Sequence, residues 1–316
     1  MKTQQKELAI SGGPAARTLD PGDAMTWPIV TEEDEEAVLE VLHAGKMSGT
    51  DLTKEFENDC AEWVGTKYAL AHPNGTAALQ AAMWACEVGA GDEIICPSVT
   101  YWASAAPALR LGATVNFADI DPDTLCIDPE DIEHRIGPNT QAIVVVHYCG
   151  YPCEMDTIME IARRHDVRVI EDVSHAQGAL YKGRMCGTIG DIGAMSLMAG
   201  KSLVAGEGGM IVTDQAELYE RCVAWGHYER TGAPSNYNPV DKQVHDEALT
   251  RYAGAPMGGV KNRLNQMASA MGRVQLKHYP ARIEEIQKAM NRFWDLREGA
   301  PGIRPHRPPA DSGSTM

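Results

Sequence analysis

The segment around Lys201 gives the strongest indication of the chemistry that this protein performs. Lys201 lies among small residues in segment 195–202, and a glycine-rich segment, residues 206–209, follows it. Upstream, Asp172 closes the apolar run at residues 169–170. A lysine amine forms a Schiff base with pyridoxal phosphate (PLP), and an aspartate keeps the pyridine nitrogen of PLP protonated, so that the ring acts as an electron sink. The pair therefore predicts a PLP-dependent enzyme.

A second group of residues is suited to a cofactor phosphate. Asn74, Gly75 and Thr76 stand at the start of a helix-favouring run, where backbone N–H groups, a hydroxyl and the positive end of a helix come together. Ser196 offers a further hydroxyl. The simpler interpretation of these three residues is an ordinary helix cap, and Asp172 too has an ordinary interpretation as a cap or a surface acid.

Tyr101 is the candidate for stacking on a flat cofactor. It follows the segment 97–100 beside a helix start, and its ring offers an aromatic face. Packing in the core is the commoner use of such a side chain, and it remains the alternative here.

Two other chemistries compete for the same residues. The segment 199–202 resembles the end of a Walker A phosphate loop, but that motif needs a glycine where Met195 stands. His147, Cys149 and Cys153 are close in sequence, yet no further ligand follows at a spacing typical of a metal site. We expect no metal, and reduced structural thiols at the cysteines.

Composition limits the class of protein. The chain has 316 residues, 44% of them hydrophobic and 23% charged, which is ordinary for a globular protein. A net charge of −16 argues against nucleic-acid or anionic-membrane partners. No apolar run is long enough to span a membrane, and the N-terminus does not read as a secretory signal. Eight scattered cysteines in a chain of this size indicate reduced thiols and a cytoplasmic location.

The elements that must position these residues alternate along the chain. A capping threonine followed by acids predicts a helix from Thr31 to about residue 44, ended by Gly45. Further helices are predicted at residues 77–84, 103–111 and 157–165, and at 264–297, where Pro280 breaks or bends the helix. Strands are predicted at residues 94–96, 114–117, 142–146 and 167–170. Residues 226–259 are interpreted as a long loop, and residues 302–309 cannot be helical.

Short apolar strands alternating with helices predict an α/β fold with a mostly parallel central sheet and helices on both faces. Ligands of such sheets gather beyond the carboxyl ends of the strands. The segment 74–76, Tyr101, His147 and Asp172 all lie at or just past such ends. We divide the chain into an N-terminal segment (residues 1–25), a large PLP-binding domain (26–255) and the start of a smaller C-terminal domain (256–316).

Taken together, these segments resemble the DegT/DnrJ/EryC1/StrS family of sugar and cyclitol aminotransferases. The resemblance runs from residue 8 to about residue 276, with many blocks in the family's order. The blocks lie at residues 8–14, 47–49, 74–79, 91–98, 100–101, 146–150, 171–172, 190–193, 196–201 and 206–209.

The resemblance implies the type I fold of PLP-dependent transferases and a homodimer with active sites shared between subunits. It implies that Lys201 carries PLP and moves protons, that Asp172 pairs with the pyridine nitrogen and that His175 lies near the ring hydroxyl. Tyr101 takes the position of the stacking aromatic residue. The resemblance assigns binding of the PLP phosphate to Gly75, Thr76 and Ser196, and Asn74 stands where the family usually has a serine.

One family segment reaches the partner's phosphate through an asparagine or a lysine. The resemblance assigns that role to Lys261, and Asn262, one residue away, is a second candidate. The family's small domain continues for many residues beyond the corresponding point, so we expect that this chain stops early, inside that domain.

The activity implied is transfer of an amino group from glutamate or glutamine to a ketone of a sugar nucleotide or cyclitol. A PLP-dependent sugar dehydratase is the nearest alternative, but relatives with that chemistry replace the lysine with histidine, and Lys201 is present. A catalytically inactive regulatory or binding relative is the alternative from another class.

Overall fold

The computed structural model describes residues 9–15, 20, 22, 26–232, 243–251, 253–255, 257–309 and 311–313. The N-terminal segment (residues 1–25), the predicted loop at 226–259 and the end of the chain therefore lie partly outside the described residues. Nine strands are named here in chain order: β1 (Tyr68–His72), β2 (Glu93–Pro97), β3 (Thr114–Ala118), β4 (Thr140–Val146), β5 (Arg168–Asp172), β6 (Leu180–Tyr181), β7 (Arg184–Met185), β8 (Ile192–Ser196) and β9 (Gly209–Thr213).

Helices flank these strands along the described chain. They are α1 (Glu32–Ala44), α2 (Asp51–Val64), α3 (Gly75–Ala85), α4 (Pro107–Leu111), α5 (Pro129–Arg135), α6 (Met155–His165), α7 (Ala216–Gly226), α8 (Glu247–Thr250) and α9 (Gln266–Arg297). Short 3-10 helices occur at Ala9–Ser11, Trp102–Ser104, Tyr148–Gly150 and Tyr228–Arg230.

Seven strands form one sheet in the order β1-β9-β8-β5-β4-β2-β3. Neighbours pair in parallel except at β9, which is antiparallel to both β1 and β8. The other six strands therefore all point the same way, and their carboxyl ends meet at one edge of the sheet. This confirms the mostly parallel α/β fold.

Alternate residues of the central strands enter two separate cores. In β4, Ile143 and Val145 pack on the side of α2 and α6, whereas Ala142 and Val144 pack on the side of α3 and α7. All four are fully buried. A parallel sheet covered on both faces needs such continuous apolar strands, so the predicted helices on both faces are confirmed.

The capping signals at the start of α1 were interpreted correctly. Thr31 accepts a hydrogen bond from the backbone of Asp34, and the Asp34 carboxylate accepts one from the backbone of Thr31. Gly45 ends the helix in the left-handed conformation, as expected of a glycine C-cap.

Two helix predictions need correction. The helix expected at residues 103–111 is a 3-10 helix followed by α4, because Pro107 has no N–H to continue a helix and instead starts a new one. The break expected near Pro280 is wrong, since α9 continues through it. The half of α9 that precedes Pro280 is held by packing: Gly272 lies against the ring of Phe56, and Tyr279 is fully buried.

The division into segments at residues 25 and 255 stays a prediction. The sequence reading did not name β1, β8 and β9, although they frame the segments that hold Asn74 and Lys201. Across the described residues, no helix is both long and apolar enough to cross a bilayer.

Candidate active site

A cavity of about 340 Å³ opens at the edge of the sheet where the parallel strands end. Eight residues predicted from the sequence lie in its wall: Asn74, Gly75, Thr76, Tyr101, Asp172, His175, Ser196 and Lys201. They come from four different strand ends and one loop, which the parallel sheet brings together. Lys261 and Asn262 do not line this cavity.

Asp172 is the last residue of β5 and is almost fully buried. Its Oδ2 accepts a hydrogen bond of 2.7 Å from the Ser104 hydroxyl, which in turn lies 2.8 Å from the Thr100 hydroxyl. Its Oδ1 accepts one of 3.0 Å from the backbone N–H of Ser174. These donors fix the plane of the carboxylate and leave it further lone pairs, because each oxygen can accept two bonds.

Lys201 lies in the lysine loop, residues 197–208, which joins β8 to the antiparallel β9. Backbone bonds from Leu197 to Gly208 and from Ala199 to Gly206 close the stem of this loop. Burial lowers the pKa of the Lys201 amine, and the negative charge of Asp172 only partly opposes this shift. A larger neutral fraction of the amine favours attack on a carbonyl.

His175 lines the cavity, close enough to Lys201 for their charges to interact. Burial lowers the pKa of its imidazole, the nearby charge of Lys201 lowers it further, and Asp172 opposes both. The net effect favours the neutral form of the ring. Its Nδ1 atom is buried and has no hydrogen-bond partner among the described residues, and the edge of the Tyr148 ring packs at 5.7 Å.

The start of α3 forms another part of the cavity wall. The Asn74 side chain accepts a hydrogen bond from the Ala77 backbone at 2.9 Å and caps the helix. The first N–H groups, those of Gly75 and Thr76, have no acceptor within the helix. A Cβ atom on Gly75 would meet Ser196 Cβ at 2.6 Å, so only glycine lets α3 start so close to the end of β8. The helix cap of the simpler interpretation is therefore present, and the phosphate site at the same residues stays a prediction.

Tyr101 stands at the mouth of the cavity and is 58% exposed. Its ring lies 5.0 Å from that of Trp102, which is 57% exposed. The alternative of core packing is therefore wrong for Tyr101, because most of its side chain is exposed.

The two remaining predicted residues differ from one another. The Lys261 side chain is exposed, and its Nζ lies 5.9 Å from the centre of the Tyr228 ring. Asn262 is buried against Gly226, whose carbonyl accepts its backbone N–H at 2.9 Å. Their role at a partner's phosphate stays a prediction.

Sequence reasoning missed several residues of the site. Ser104 and Ser174 bond to Asp172, while Glu207 and Met198 line the cavity. Glu207 lay in the segment 206–209 singled out above, and Ser174 is two residues from Asp172, so their positions near Lys201 and Asp172 in the sequence were a usable signal. Ser104 gave none, because its contact with Asp172 spans 68 residues.

The competing chemistries find no support. Lys201 is followed by a bend and β9, whereas a Walker A lysine starts a helix. His147 accepts a hydrogen bond from the Cys153 backbone on Nδ1 and contacts Glu171 through Nε2, both at 3.0 Å. Among the described residues, no three side chains of His, Cys, Asp or Glu are placed to hold a metal ion.

Comparison with known proteins identifies the relatives of this chain. Residues 28–316 match the model of the DegT/DnrJ/EryC1/StrS aminotransferase family. The spore coat polysaccharide biosynthesis protein SpsC of Bacillus subtilis (strain 168) is 36% identical over 83% of this chain and 64% of its own length. The L-glutamine:2-deoxy-scyllo-inosose aminotransferase of Streptomyces fradiae is 39% identical over 68% of this chain and 51% of its own length.

Solved structures share the fold. The structure of DesI in the presence of its TDP-sugar product superposes with a TM-score of 0.78 and 32% identity, over 94% of this chain and 71% of that one. The expected aminotransferase fold is thereby confirmed. The chain spans between half and two thirds of the length of these two curated relatives.

Proposed function

This chain belongs to the DegT/DnrJ/EryC1/StrS aminotransferase family, and we propose that it is a PLP-dependent aminotransferase. Its substrates are an amino donor, glutamate or glutamine, and a ketone of a sugar nucleotide or cyclitol. The observation that carries the proposal is the shared cavity: the Lys201 amine, the Asp172 carboxylate and the open start of α3 face the same space. Its free thiols suit the cytosol.

The residues that line the cavity fit both the pyridine ring and the phosphate of PLP. Asp172 keeps free lone pairs although it is almost buried, and a buried carboxylate needs a cationic partner, which a protonated pyridine supplies. The start of α3 offers unpaired N–H groups to a phosphate. His175 also lines the cavity, and this supports a contact between its imidazole and the ring hydroxyl of PLP.

PLP, when bound, supplies the electron sink for the transfer. Asp172 holds the proton on the pyridine nitrogen, and Ser104 and Ser174 keep the carboxylate in that orientation. Lys201, whose pKa is lowered by burial, would take the proton from the α-carbon of the donor at its Nζ and return it to complete the transfer. Neutral His175 orients the ring hydroxyl without adding charge.

Borohydride labelling tests the assignment. The protein loaded with PLP is reduced and digested, and the label should map to Lys201. A label on Lys182 or Lys261 would contradict it. Addition of glutamate or glutamine to unreduced protein should convert the spectrum to that of pyridoxamine phosphate, a change that an inactive binding relative would not give. Keto-cyclitols and keto-sugar nucleotides should then reverse the spectrum, and the acceptor that does so fastest identifies the substrate.

The sites are proposed to be shared within a homodimer. The exposed Lys261 is better placed than the buried Asn262 to reach a partner's phosphate, and an ammonium group makes the stronger, charge-assisted contact. Lys261→Ala should therefore weaken PLP retention more than Asn262→Ala. Mixed Lys261→Ala and Lys201→Ala subunits should regain activity, because one site of the heterodimer then carries neither change. No recovery despite proven subunit exchange would mean that each site belongs to one chain.

A further inference from the structure

The lysine loop is held by residues far away in the sequence. Gln177, which is 1% exposed, donates from Nε2 to the carbonyl of Ser196 at 2.6 Å and accepts at Oε1 from the backbone N–H of Leu203 at 3.2 Å. One buried side chain thus joins the end of β8 to the residues that follow Lys201.

Helix α9 contacts the same loop through Tyr279. The Tyr279 hydroxyl lies 2.7 Å from the Ser202 hydroxyl and donates to the Gln177 carbonyl at 2.8 Å. Ser202 also donates to Gln177 Oε1 at 2.7 Å. The hydroxyl groups of Ser202 and Tyr279 have one hydrogen each but take part in three short contacts. A change at Gln177, Ser202 or Tyr279 therefore changes the hydrogen bonds of the other two residues. Tyr279 is fully buried, with its ring edge-on to Trp63.

A second contact fixes the neighbouring peptide unit. The Trp27 indole donates to the carbonyl of Lys201 at 2.9 Å. Trp27 is held in turn by α9: the Arg282 guanidinium lies 5.7 Å from its ring, and Gln275 donates to the carbonyl of Ile29 at 3.0 Å. Segment 26–30 therefore lies between α9 and the lysine loop and is bonded to both.

Resting on the proposed function, we propose that Trp27 and Tyr279 are positioning residues through which α9 fixes the backbone at Lys201 and Ser202. Four flexible methylenes separate the backbone of a lysine from its amine. A fixed backbone limits the directions in which that amine can approach PLP, and a displacement of about 1 Å in a reacting group is costly. The stem bonds of the loop end at Ala199 and Gly206, and the backbone N–H of Lys201 bonds within the loop, to the Met198 carbonyl at 2.8 Å. The contacts from Trp27 and Tyr279 add an anchor outside the loop.

Hydrogen exchange of the protein without PLP tests the backbone contact. Tyr279→Phe keeps the ring on Trp63 and removes the hydroxyl, so the amides of residues 198–206 should exchange about five- to tenfold faster. Tyr181→Phe is the matched control: Tyr181 is a buried tyrosine whose hydroxyl accepts a backbone hydrogen bond from Asp156, away from this loop. Unchanged exchange in the loop, or an equal increase throughout the chain, would overturn the proposal.

The rate at which added PLP becomes linked to Lys201 tests the consequence for chemistry. Trp27→Phe and Tyr279→Phe should slow this step several-fold and move its pH midpoint upward, because a looser lysine is better solvated. Trp294→Phe should not. The double variant Tyr279→Phe with Ser202→Ala should link PLP no more slowly than the slower of the two single variants, because both changes disrupt the same hydrogen-bond network. Equal linking rates in parent and variants would overturn the positioning role alone. A parent that never takes up PLP would overturn the proposed function with it.

Discussion

Two neighbouring carboxylates at the end of β5 face opposite sides of the sheet and have opposite environments. Glu171 is fully buried and accepts hydrogen bonds from the backbone of Gly187, Ile189 and Gly190 and from His147. Asp172, on the cavity side, accepts from Ser104 and Ser174 alone among the described residues. Glu171 has no capacity left for a ligand, whereas Asp172 has. Saturation of the acceptors separates a carboxylate that supports the fold from one that is available for chemistry.

The two histidines nearest these carboxylates follow the same division. Both ring nitrogens of His147 are engaged, with Cys153 and Glu171. The Nδ1 atom of His175 has no partner among the described residues. We therefore expect changes on the Glu171 side to lower stability and changes on the Asp172 side to lower activity.

The largest expected effect on the cavity side is that of Lys201→Ala. Loss of the amine removes both the attachment point and the proton carrier, so turnover should fall by about 10⁴-fold or more. The free energy of unfolding of the protein without PLP should hardly change, because only a partly buried amine is lost. Lys182→Ala, which removes a surface lysine paired with Asp156, should keep full activity. Substantial turnover by Lys201→Ala would refute the assignment.

Replacing one carboxylate oxygen by an NH₂ group, in Asp172 or in Glu171, tests the comparison directly. Asp172→Asn should retain PLP but lower turnover by about 10²-fold or more, because an amide does not hold a proton on the pyridine nitrogen. Glu171→Gln should instead cost roughly 3 kcal/mol of stability, since an amide NH₂ meets buried N–H donors that then lack an acceptor. Urea unfolding without PLP and turnover with PLP measure the two effects. If both variants lost similar amounts of stability and of turnover, Asp172 and Glu171 would not differ in role.

Gly75→Ala should act on PLP retention. Its Cβ would meet Ser196 Cβ at 2.6 Å and the Ser196 Cα at 2.8 Å, so the start of α3 must move away from β8 and its N–H groups from the phosphate. We expect affinity for PLP to fall roughly 10- to 100-fold, equivalent to one or two charge-assisted hydrogen bonds. Gly89→Ala, where no atom lies within 3.7 Å of the added Cβ, is the control. Equal affinities in equilibrium titrations would show that the close approach is unimportant.

The smallest expected effect is a dependence of stability on pH. Burial raises the pKa of Glu171, but the hydrogen bonds from His147 and the backbone outweigh burial and leave the pKa below 4.5. The unfolded chain then binds a proton before the folded one does. The contribution of Glu171 is therefore complete above about pH 4.5 and is lost as the pH falls through the lower folded value. Urea midpoints should decline more steeply with acid in the parent than in Glu171→Gln. Parallel declines would assign the acid sensitivity to other groups.

The sequence by itself determined the fold class and the core of the candidate site. Apolar strand runs, the acids after Thr31 and the segment around Lys201 are local patterns, formed by residues that are neighbours in the chain. Strand ends place Asp172 and the start of α3 at one edge of a parallel sheet wherever the connections are right-handed. These features were therefore accessible without coordinates.

Tertiary structure decided the contacts between distant segments. It decided that α9 continues through Pro280, that Lys261 is exposed while Asn262 is buried, and that Ser104 orients Asp172. It also placed Trp27 on the carbonyl of Lys201, 174 residues away. Such contacts depend on how whole elements pack, and periodicity and spacing describe only residues that are close in sequence.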